Sequence, residues 1–215
     1  MATFLTQEDL RAEYVAVMGP DLGSLCHDLR KEVDWLHDKW SMFQELFCAG
    51  PARLQLLNTV ASNFFYFLHK LLFEDAMLHL CRLTDPAETR TRVGKKVIVR
   101  KNLTVMALAD AISDPVLKAK VGTEARHAKK NCGFARELRN QRLAHTDLER
   151  FRNGSTGLQV LSKHIEDALE SIRAGLNSVE EHYGRGPSLS VADPWGAKAL
   201  VQHLEKAAHV AEDEN

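Results

Sequence analysis

Three side chains that can act together on a phosphodiester lie within seven residues of this 215-residue chain: Arg139, Asn140 and His145. An imidazole with an ordinary pKa of about 6.5 can take the proton of an attacking hydroxyl or protonate a leaving oxygen. A guanidinium can hold a phosphate through two parallel hydrogen bonds and offset its growing charge, while an amide orients phosphate or imidazole. These are the groups that cleavage of a phosphodiester without a metal requires, although Arg and Asn on a helix are usually solvated surface residues.

The geometry of one regular helix constrains this prediction. At about 100° per residue, Arg139 and His145 are about 120° apart. Either the helix loosens before residues 146–147, or a dimer axis runs beside the motif, so that one protomer's Arg complements the other's His. Alternatively, His145 is a buried, hydrogen-bonded residue at a helix end, and Arg139 forms an ion pair with Asp147 or Glu137.

The charge of the chain is strongly divided. Residues 90–142 carry fourteen Lys or Arg against four Asp or Glu, a net charge of +10, while the whole chain has a net charge of −1. This basic segment predicts a partner that carries phosphates. Alternatively, it is a solvated surface that pairs with the acidic remainder. The candidate RNA-binding residues beside the motif are Arg126, Lys129, Lys130, Arg136 and Arg142.

Composition excludes several classes of protein. The four cysteines form no C-x-x-C pair and no two of the ten histidines are three or four residues apart, so we predict no metal site and no cofactor. Residues 54–68 are too short and too polar to span a membrane, and the N-terminus lacks a signal-like apolar run, which predicts a cytoplasmic protein with no membrane contact. The motifs of serine hydrolases, P-loop NTPases and dinucleotide-binding folds are absent.

Apolar residues repeat at helical spacing along most of the chain. The pattern predicts an all-α, up-and-down helical bundle over residues 1–183, followed by a loop and a C-terminal helix over 184–215 that is not an independent domain. A long helix over 52–84 should be central and buried on most faces. No alternation is long enough for a sheet, and only Lys96–Val99 could be extended. Asn102 should cap the helix that follows it, and a further helix should continue into the Arg139 region.

The motif, the basic middle and the helical pattern together resemble the HEPN superfamily. Its signature is an Arg, usually followed by a polar residue such as Asn, and then a His after four to six residues. Within it, the abortive-infection AbiU-type branch is most similar, over roughly residues 25–181. The similarity also rests on Leu80–Pro86 at the end of the aromatic helix, on the helix start at Lys101–Thr104, and on Leu143–Asp147.

This resemblance implies a metal-independent endoribonuclease whose site forms between two protomers of a homodimer. Arg139, Asn140 and His145 would be catalytic, and the substrate would be RNA, either single-stranded or tRNA. The resemblance further implies a role in phage defence or in a toxin–antitoxin pair, with a cognate antitoxin or defence protein as partner. In HEPN toxins that a nucleotidyltransferase silences, a Tyr follows the His by two residues; Asp147 stands there, so this modification is not available.

Three charged residues near the predicted site are candidates for supporting it: Arg82, Asp85 and Asp147. Arg82 and Asp85, three apart at a helix end, should form a local ion pair or cap, or else support the site together with Asp147. The alternative function for the chain as a whole is a non-catalytic helical module that binds RNA or protein and keeps the motif for structural reasons.

Overall fold

The computed structural model describes residues 6–140, 158–186 and 196–213, with side chains placed for 6–140, 162–186 and 196–208. The helices are α1 Gln7–Met18, α2 Pro20–Phe47, α3 Pro51–Leu83, α4 Leu108–Ala111, α5 Pro115–Asn131, α6 Gly133–Leu138, α7 Leu158–His182 and α8 Ala197–Asp213. A hairpin of β1 Glu88–Val93 and β2 Lys96–Lys101 follows α3, and a single 3-10 turn, Val105–Ala107, precedes α4. The predicted all-α fold is confirmed.

Helices α1 and α2 pack closely against each other next to the turn that joins them. Gly19, with φ of 81°, ends α1, and Pro20 begins α2 at a position where its missing N–H costs nothing. Farther along α2, a methyl group added at Gly23 would lie 2.5 Å from the carbonyl oxygen of Tyr14. The two backbones can therefore approach this closely only because position 23 has no side chain.

A buried ionic cluster ties α1, α2 and α7 together. Arg30 on α2 donates to both carboxylate oxygens of Glu180 on α7, at 3.0 and 2.5 Å, and the Tyr14 hydroxyl of α1 donates to the same carboxylate at 2.6 Å. The Arg30 and Glu180 side chains are only 7% and 1% exposed. Burial and the Glu180 carboxylate both raise the pKa of Tyr14, which keeps its hydroxyl a donor.

The long helix α3 has the predicted bounds, but not the predicted burial. Phe65, Met77 and Leu80 are buried in the core, whereas Phe64, Phe67 and Leu71 are 60–63% exposed. Non-helical backbone at Ala61, with φ of −159° and ψ of 67°, interrupts the regular helix. The expectation that α3 is buried on most faces was therefore wrong, because one apolar side of the helix packs against nothing in the described part of the chain.

The expectation of no sheet was also wrong. Strands β1 and β2 pair antiparallel, with Glu88 opposite Lys101 and Val93 opposite Lys96, and Gly94 adopts a φ of 60° in the turn. Only part of β2 was predicted to be extended. Asn102 does not cap a helix as predicted: its side-chain amide donates to the Pro86 carbonyl oxygen, at 2.8 Å, and to Thr89 Oγ1, at 2.7 Å.

The chain that leads to Arg139 folds into two helices, α5 and α6, where the sequence predicted one helix continuing into the Arg139 region. The Asp114 carboxylate caps α5 by accepting from the Leu117 N–H at 2.7 Å. The chain leaves helical geometry at Cys132, with φ of −85° and ψ of 7°, before α6 begins. Helix α7 packs chiefly on α5, and α8 packs on α2 and α3. No helix among the described residues is long and apolar enough to cross a membrane.

Candidate active site

The guanidinium of Arg139 lies where α6 ends, next to the C-terminal end of α3. Its Nη1 is 3.8 Å from Oδ1 of Asp85, and its Nε donates to Oδ1 of Asn140 at 3.3 Å. Residues 139 and 140 form a wider, π-type turn, and the stretch before residues 146–147, where the helix was expected to loosen, lies outside the described residues. The Arg139 side chain is 33% exposed, so part of the guanidinium faces solvent while the rest is oriented by two neighbours.

Asp85 is held in position by Thr104, which lies in the chain that follows the hairpin. The Thr104 hydroxyl lies 2.8 Å from the Asp85 carbonyl oxygen and 2.9 Å from that of Leu83, both within hydrogen-bonding reach. Thr104 is fully buried. The end of α3 therefore has a defined position, and the carboxylate of Asp85 points to α6 from a fixed backbone.

Arg136, one helical turn before Arg139, is occupied by contacts within the protein. Its Nη2 donates to the carbonyl oxygen and to Oγ1 of Thr84, both at 2.6 Å, and its Nη1 donates to the Lys129 carbonyl oxygen at 3.0 Å. Its guanidinium is also 4.0 Å from Asp85. Arg136 thus links α6 to α3 and to the end of α5, and its proposed contact with RNA stays a prediction.

The other described candidates for RNA binding share one face of α5. Arg126, Lys129 and Lys130 are all exposed, opposite the buried residues Val121, Ala125 and Ala128. Arg126 donates to Thr123 Oγ1 at 2.9 Å, within the same helix. The end of α5 therefore presents three cations to solvent just before the chain turns into α6.

Arg82 does not form the predicted local ion pair with Asp85. It lies 3.0 Å from Oε2 of Glu32 on α2, and Nε2 of the buried His79 lies 2.9 Å from the same oxygen. Lys39 then contacts both Nδ1 of His79, at 2.9 Å, and the carboxylate of Asp75. Burial and the neighbouring Lys39 cation lower the pKa of His79 to about 4, so its imidazole is neutral near pH 7.

Two thiols lie behind the site and are not suited to nucleophilic catalysis. Cys81 and Cys132 are both buried near Thr84 and Arg136. Burial raises the pKa of Cys132 to about 11 and also raises that of Cys81. Both therefore stay protonated near pH 7, and the thiolate needed for attack is not formed.

A cavity of about 560 Å³ opens beside α6, between α5 and α7. The rings of Phe134 and His164 line it with centroids 5.7 Å apart and planes tilted by 33°. Lys130 and Asn131 border it on one side, and Asp167 on the other. The cavity thus combines flat rings with hydrogen-bonding groups next to the helix that leads to Arg139.

The structure brings together only part of the predicted site. It places Arg139, Asn140 and Asp85 in contact, with Arg136 behind them and Arg82 on a separate network. His145, Arg142 and Asp147 lie outside the described residues. Sequence reasoning did not identify Thr104, which fixes the backbone at Asp85, or Thr84, which accepts from Arg136, because these partners are distant in the chain. Among the described residues, no three His, Cys, Asp or Glu side chains are grouped as a metal site would need.

An α-helical bundle with an Arg-Asn pair at the end of its basic helices is the arrangement expected of a HEPN domain. The family model HEPN_AbiU2, described as AbiU2, matches residues 20–209, which is most of the chain. The chain therefore belongs to the AbiU2 family of HEPN domains. No curated protein and no solved structure matches it.

Proposed function

We propose that this protein is a metal-independent endoribonuclease of the HEPN type that cleaves RNA through attack of a ribose 2′-hydroxyl. The observation that carries this proposal is the state of Arg139: its guanidinium is one-third exposed, yet oriented by Asp85 at 3.8 Å and Asn140 at 3.3 Å. A cation that is pre-positioned and still open to solvent can bind a phosphate without first reorganising. Its family membership supports the same activity.

The reaction follows from the groups of the motif. His145 takes the proton of the 2′-hydroxyl, the 2′-oxygen bonds to phosphorus, and the bond from phosphorus to the 5′-oxygen breaks. The His145 imidazolium then gives its proton to the leaving 5′-oxygen, so the products are a 2′,3′-cyclic phosphate and a 5′-hydroxyl. Arg139 offsets the charge on the phosphate oxygens during this step. DNA lacks the 2′-hydroxyl and is not cleaved.

The exposed side of α3 supports the second part of the proposal, a homodimer. Val60, Phe64, Phe67, Leu71 and Leu78 are 39–63% exposed, and they alternate by four and three residues once Glu74 is included. From Phe64 to Leu78, beyond the interruption at Ala61, this spacing is typical of a seam between two paired helices. We call these six residues the α3 seam. Its apolar members expose on the order of 500 Å², which is over half of the roughly 800 Å² that each partner buries in a typical interface.

The α3 seam also determines how two protomers would bring their sites together. Arg82 follows Leu78 by one turn on the same side of α3, and Asp85 with its Arg139 contact lies just beyond. If two α3 helices pair in parallel, these ends meet near the two-fold axis. In antiparallel pairing about the seam centre, they would be about 40 Å apart, since a helix rises 1.5 Å per residue. A site shared between protomers therefore requires the parallel arrangement.

We further propose that the enzyme acts in the cytoplasm in phage defence, as an abortive-infection protein or as one member of a toxin–antitoxin pair. Single-stranded RNA or tRNA is the proposed substrate, and a cognate antitoxin or defence protein is the proposed partner. The AbiU2 family membership supports this context.

One observation favours a second candidate function, a non-catalytic helical module that binds RNA or protein. Arg136 makes three hydrogen bonds, two to Thr84 at 2.6 Å and one to Lys129 at 3.0 Å, so at least one Arg of this basic stretch contributes to packing. If Arg139 and His145 also contributed only to packing, the segment that carries the motif would be structural and not catalytic. The experiment below separates the two functions.

Purified protein is incubated with labelled single-stranded RNA and with tRNA in EDTA, beside Arg139→Ala and His145→Ala variants and a control variant, Lys198→Ala, whose exposed cation lies on α8, outside the basic segment. We expect the wild type and the control to cleave the RNA, leaving a 2′,3′-cyclic phosphate, and both motif variants to lose at least 100-fold in rate. Circular dichroism checks that all four proteins are folded. Equal inactivity of wild type and variants on every RNA would leave the binding module as the better description.

A further inference from the structure

The hairpin of β1 and β2, residues 88–101, is basic and exposed in the described structure, and we call it the arm. All twelve strand residues are exposed, on both faces. Residues 88–101 contain six Lys or Arg and one acid, Glu88. Within the described residues, the only ion pair recorded for these six cations is the one between Arg90 and Glu88, at 3.5 Å. The arm is therefore a concentration of positive charge that the rest of the bundle does not neutralise.

The register distributes these cations over both faces and the tip of the arm. Residues directly opposite in an antiparallel pair share a face. Arg90, Arg92 and Lys101 therefore lie on one face, Lys96 and Arg100 lie on the other, and Lys95 is in the turn. The remaining positions are mostly Thr, Val and Ile, without an aromatic ring. Such a surface suits contacts with a phosphate backbone, and it lacks the rings on which bases stack.

The base of the arm is anchored next to Arg139. Glu88, the first strand residue, follows Asp85 by three residues, so the two are at most about 10 Å apart. Asn102 fixes this base through its bonds to Pro86 and Thr89, and its N–H donates to the Ala87 carbonyl oxygen at 2.9 Å. Six residues of strand extend the arm by about 20 Å. A phosphate backbone lying along the arm therefore leads to the Asp85–Arg139 contact.

We propose that this hairpin is an RNA-docking arm, which binds the phosphate backbone without sequence preference and directs the strand to Arg139. This inference rests on the proposed function. Charge complementarity selects RNA over a protein partner, because six cations within fourteen residues match a polyanion. The exposed apolar side chains of the arm, Val93, Val97, Ile98 and Val99, are divided between its two faces. An isolated two-stranded hairpin is only marginally stable in water, and a bound polyanion would stabilise the arm.

The test compares two variants of the full chain with the same loss of charge. In the arm variant, Arg90, Arg92, Arg100 and Lys101 are changed to Gln; in the control, the exposed Lys31, Lys163, Lys198 and Lys206 are changed to Gln. Binding of a labelled 20-nucleotide 2′-O-methyl RNA, which cannot be cleaved through the 2′-oxygen, is measured by fluorescence anisotropy over a series of salt concentrations. Cleavage of the unmodified RNA is measured separately.

We expect the arm variant to bind at least 10-fold more weakly than the wild type at low salt, with a salt dependence of log K less steep by about 2 to 3. The control should lose no more than about 2-fold. Equal losses in the two variants, or no loss in the arm variant, would overturn the inference and favour a protein partner for the arm.

The two proposals fail separately in this design. If the wild type binds the 2′-O-methyl RNA through the arm but cleaves no RNA, the docking arm stands and the ribonuclease is wrong. If the wild type cleaves RNA and the arm variant binds as tightly as the wild type, only the docking arm is wrong. Because every substituted residue is exposed, circular dichroism and thermal unfolding should be the same for all three proteins.

Discussion

Arg136 donates hydrogen bonds of 2.6 Å to both the carbonyl oxygen and Oγ1 of Thr84, and so joins α6 to the end of α3. Thr84 is fully buried, and its hydroxyl in turn donates to the Leu80 carbonyl oxygen at 2.7 Å. These hydrogen bonds thus fix the position of the turn that carries Arg139 relative to α3. Arg136 acts on the site by holding this turn in place.

Arg136→Met should destabilise the protein by about 2–3 kcal/mol, because it removes charged hydrogen bonds and leaves the carbonyl oxygen of the buried Thr84 without this donor. For a chain of this size, this lowers Tm by roughly 5–10 °C. Thermal unfolding followed by circular dichroism measures the change, with the exposed Arg126→Met as control. If the two variants unfold at the same temperature, Arg136 does not link α6 to α3 in solution.

Asp85→Asn tests whether the Asp85 carboxylate orients Arg139, because the substitution removes the charge and keeps the size of the side chain. Without the carboxylate 3.8 Å away, Arg139 loses one of the groups that hold it, and we expect kcat to fall about 10-fold. KM for RNA should stay the same or fall, since a negative charge near the phosphate is removed. Steady-state cleavage kinetics test this, with the exposed Asp110→Asn as control. A rise in KM with unchanged kcat would contradict an orienting role.

Changing Phe67 and Leu71 together to Gln should convert the proposed dimer to a monomer. These residues are 63% exposed and lie in the middle of the α3 seam, where they would be buried by the partner. Size-exclusion chromatography with light scattering gives the mass. The matched control is Val116→Gln, an apolar residue that is 77% exposed on α5 and away from the seam.

The direction of helix pairing can be tested by cross-linking. In a Cys48→Ser background, which removes the exposed native thiol, Leu71→Cys should form a disulfide between protomers if two α3 helices pair in parallel and in register. An antiparallel dimer would bring residue 71 opposite a residue near 67 instead. A dimer that forms no disulfide through position 71 argues against the shared site.

Glu180→Gln should destabilise the fold by about 3 kcal/mol, because it leaves the buried Arg30 guanidinium without its counter-charge. The neighbouring Glu181 is exposed, so Glu181→Gln removes the same charge without touching the cluster. Urea unfolding measures both changes. Equal stabilities would mean that the cluster between α1, α2 and α7 contributes no net stability.

Stability should decrease in mild acid because two histidines are held neutral. Burial, together with nearby Arg173 and Arg30, lowers the pKa of His37 to about 4, and burial with Lys39 does the same for His79. Since these folded-state values lie below the unfolded value of about 6.5, the stabilisation is fully present above pH 6.5 and is lost as pH falls toward 4. Each histidine contributes a slope of at most about 1.4 kcal/mol per pH unit. Urea unfolding of His37→Gln at pH 7 and pH 5 should show a smaller loss than the wild type.

The sequence predicts the long helices well because their apolar residues repeat with the helical period, and the Gly and Pro that separate α2 from α3 at residues 50–51 are adjacent in the sequence. The hairpin could not be predicted in the same way. Its strands bury neither face, so the alternation of apolar and polar residues that marks a half-buried strand is missing from β1.

The candidate site was only partly predictable for a related reason. The Arg139-Asn140 pair is visible as a local motif, but Asp85 reaches it across more than fifty residues, and Arg82 pairs with Glu32 on another helix. The apolar content of α3 was visible too, although it could not show which side meets the core. A sequence gives the side chains of a helix, and only packing shows which of them have partners.

The missing side chain at Gly23 has a consequence for variation within the family. Any other residue there would push the backbone of α1 away from α2, and Tyr14 would then move off Glu180, more than 150 residues later in the chain. Position 23 is far from Arg139, yet it should be as restricted during evolution as a catalytic residue. We expect glycine at this position in every relative that also keeps the tyrosine on α1 and the glutamate on α7.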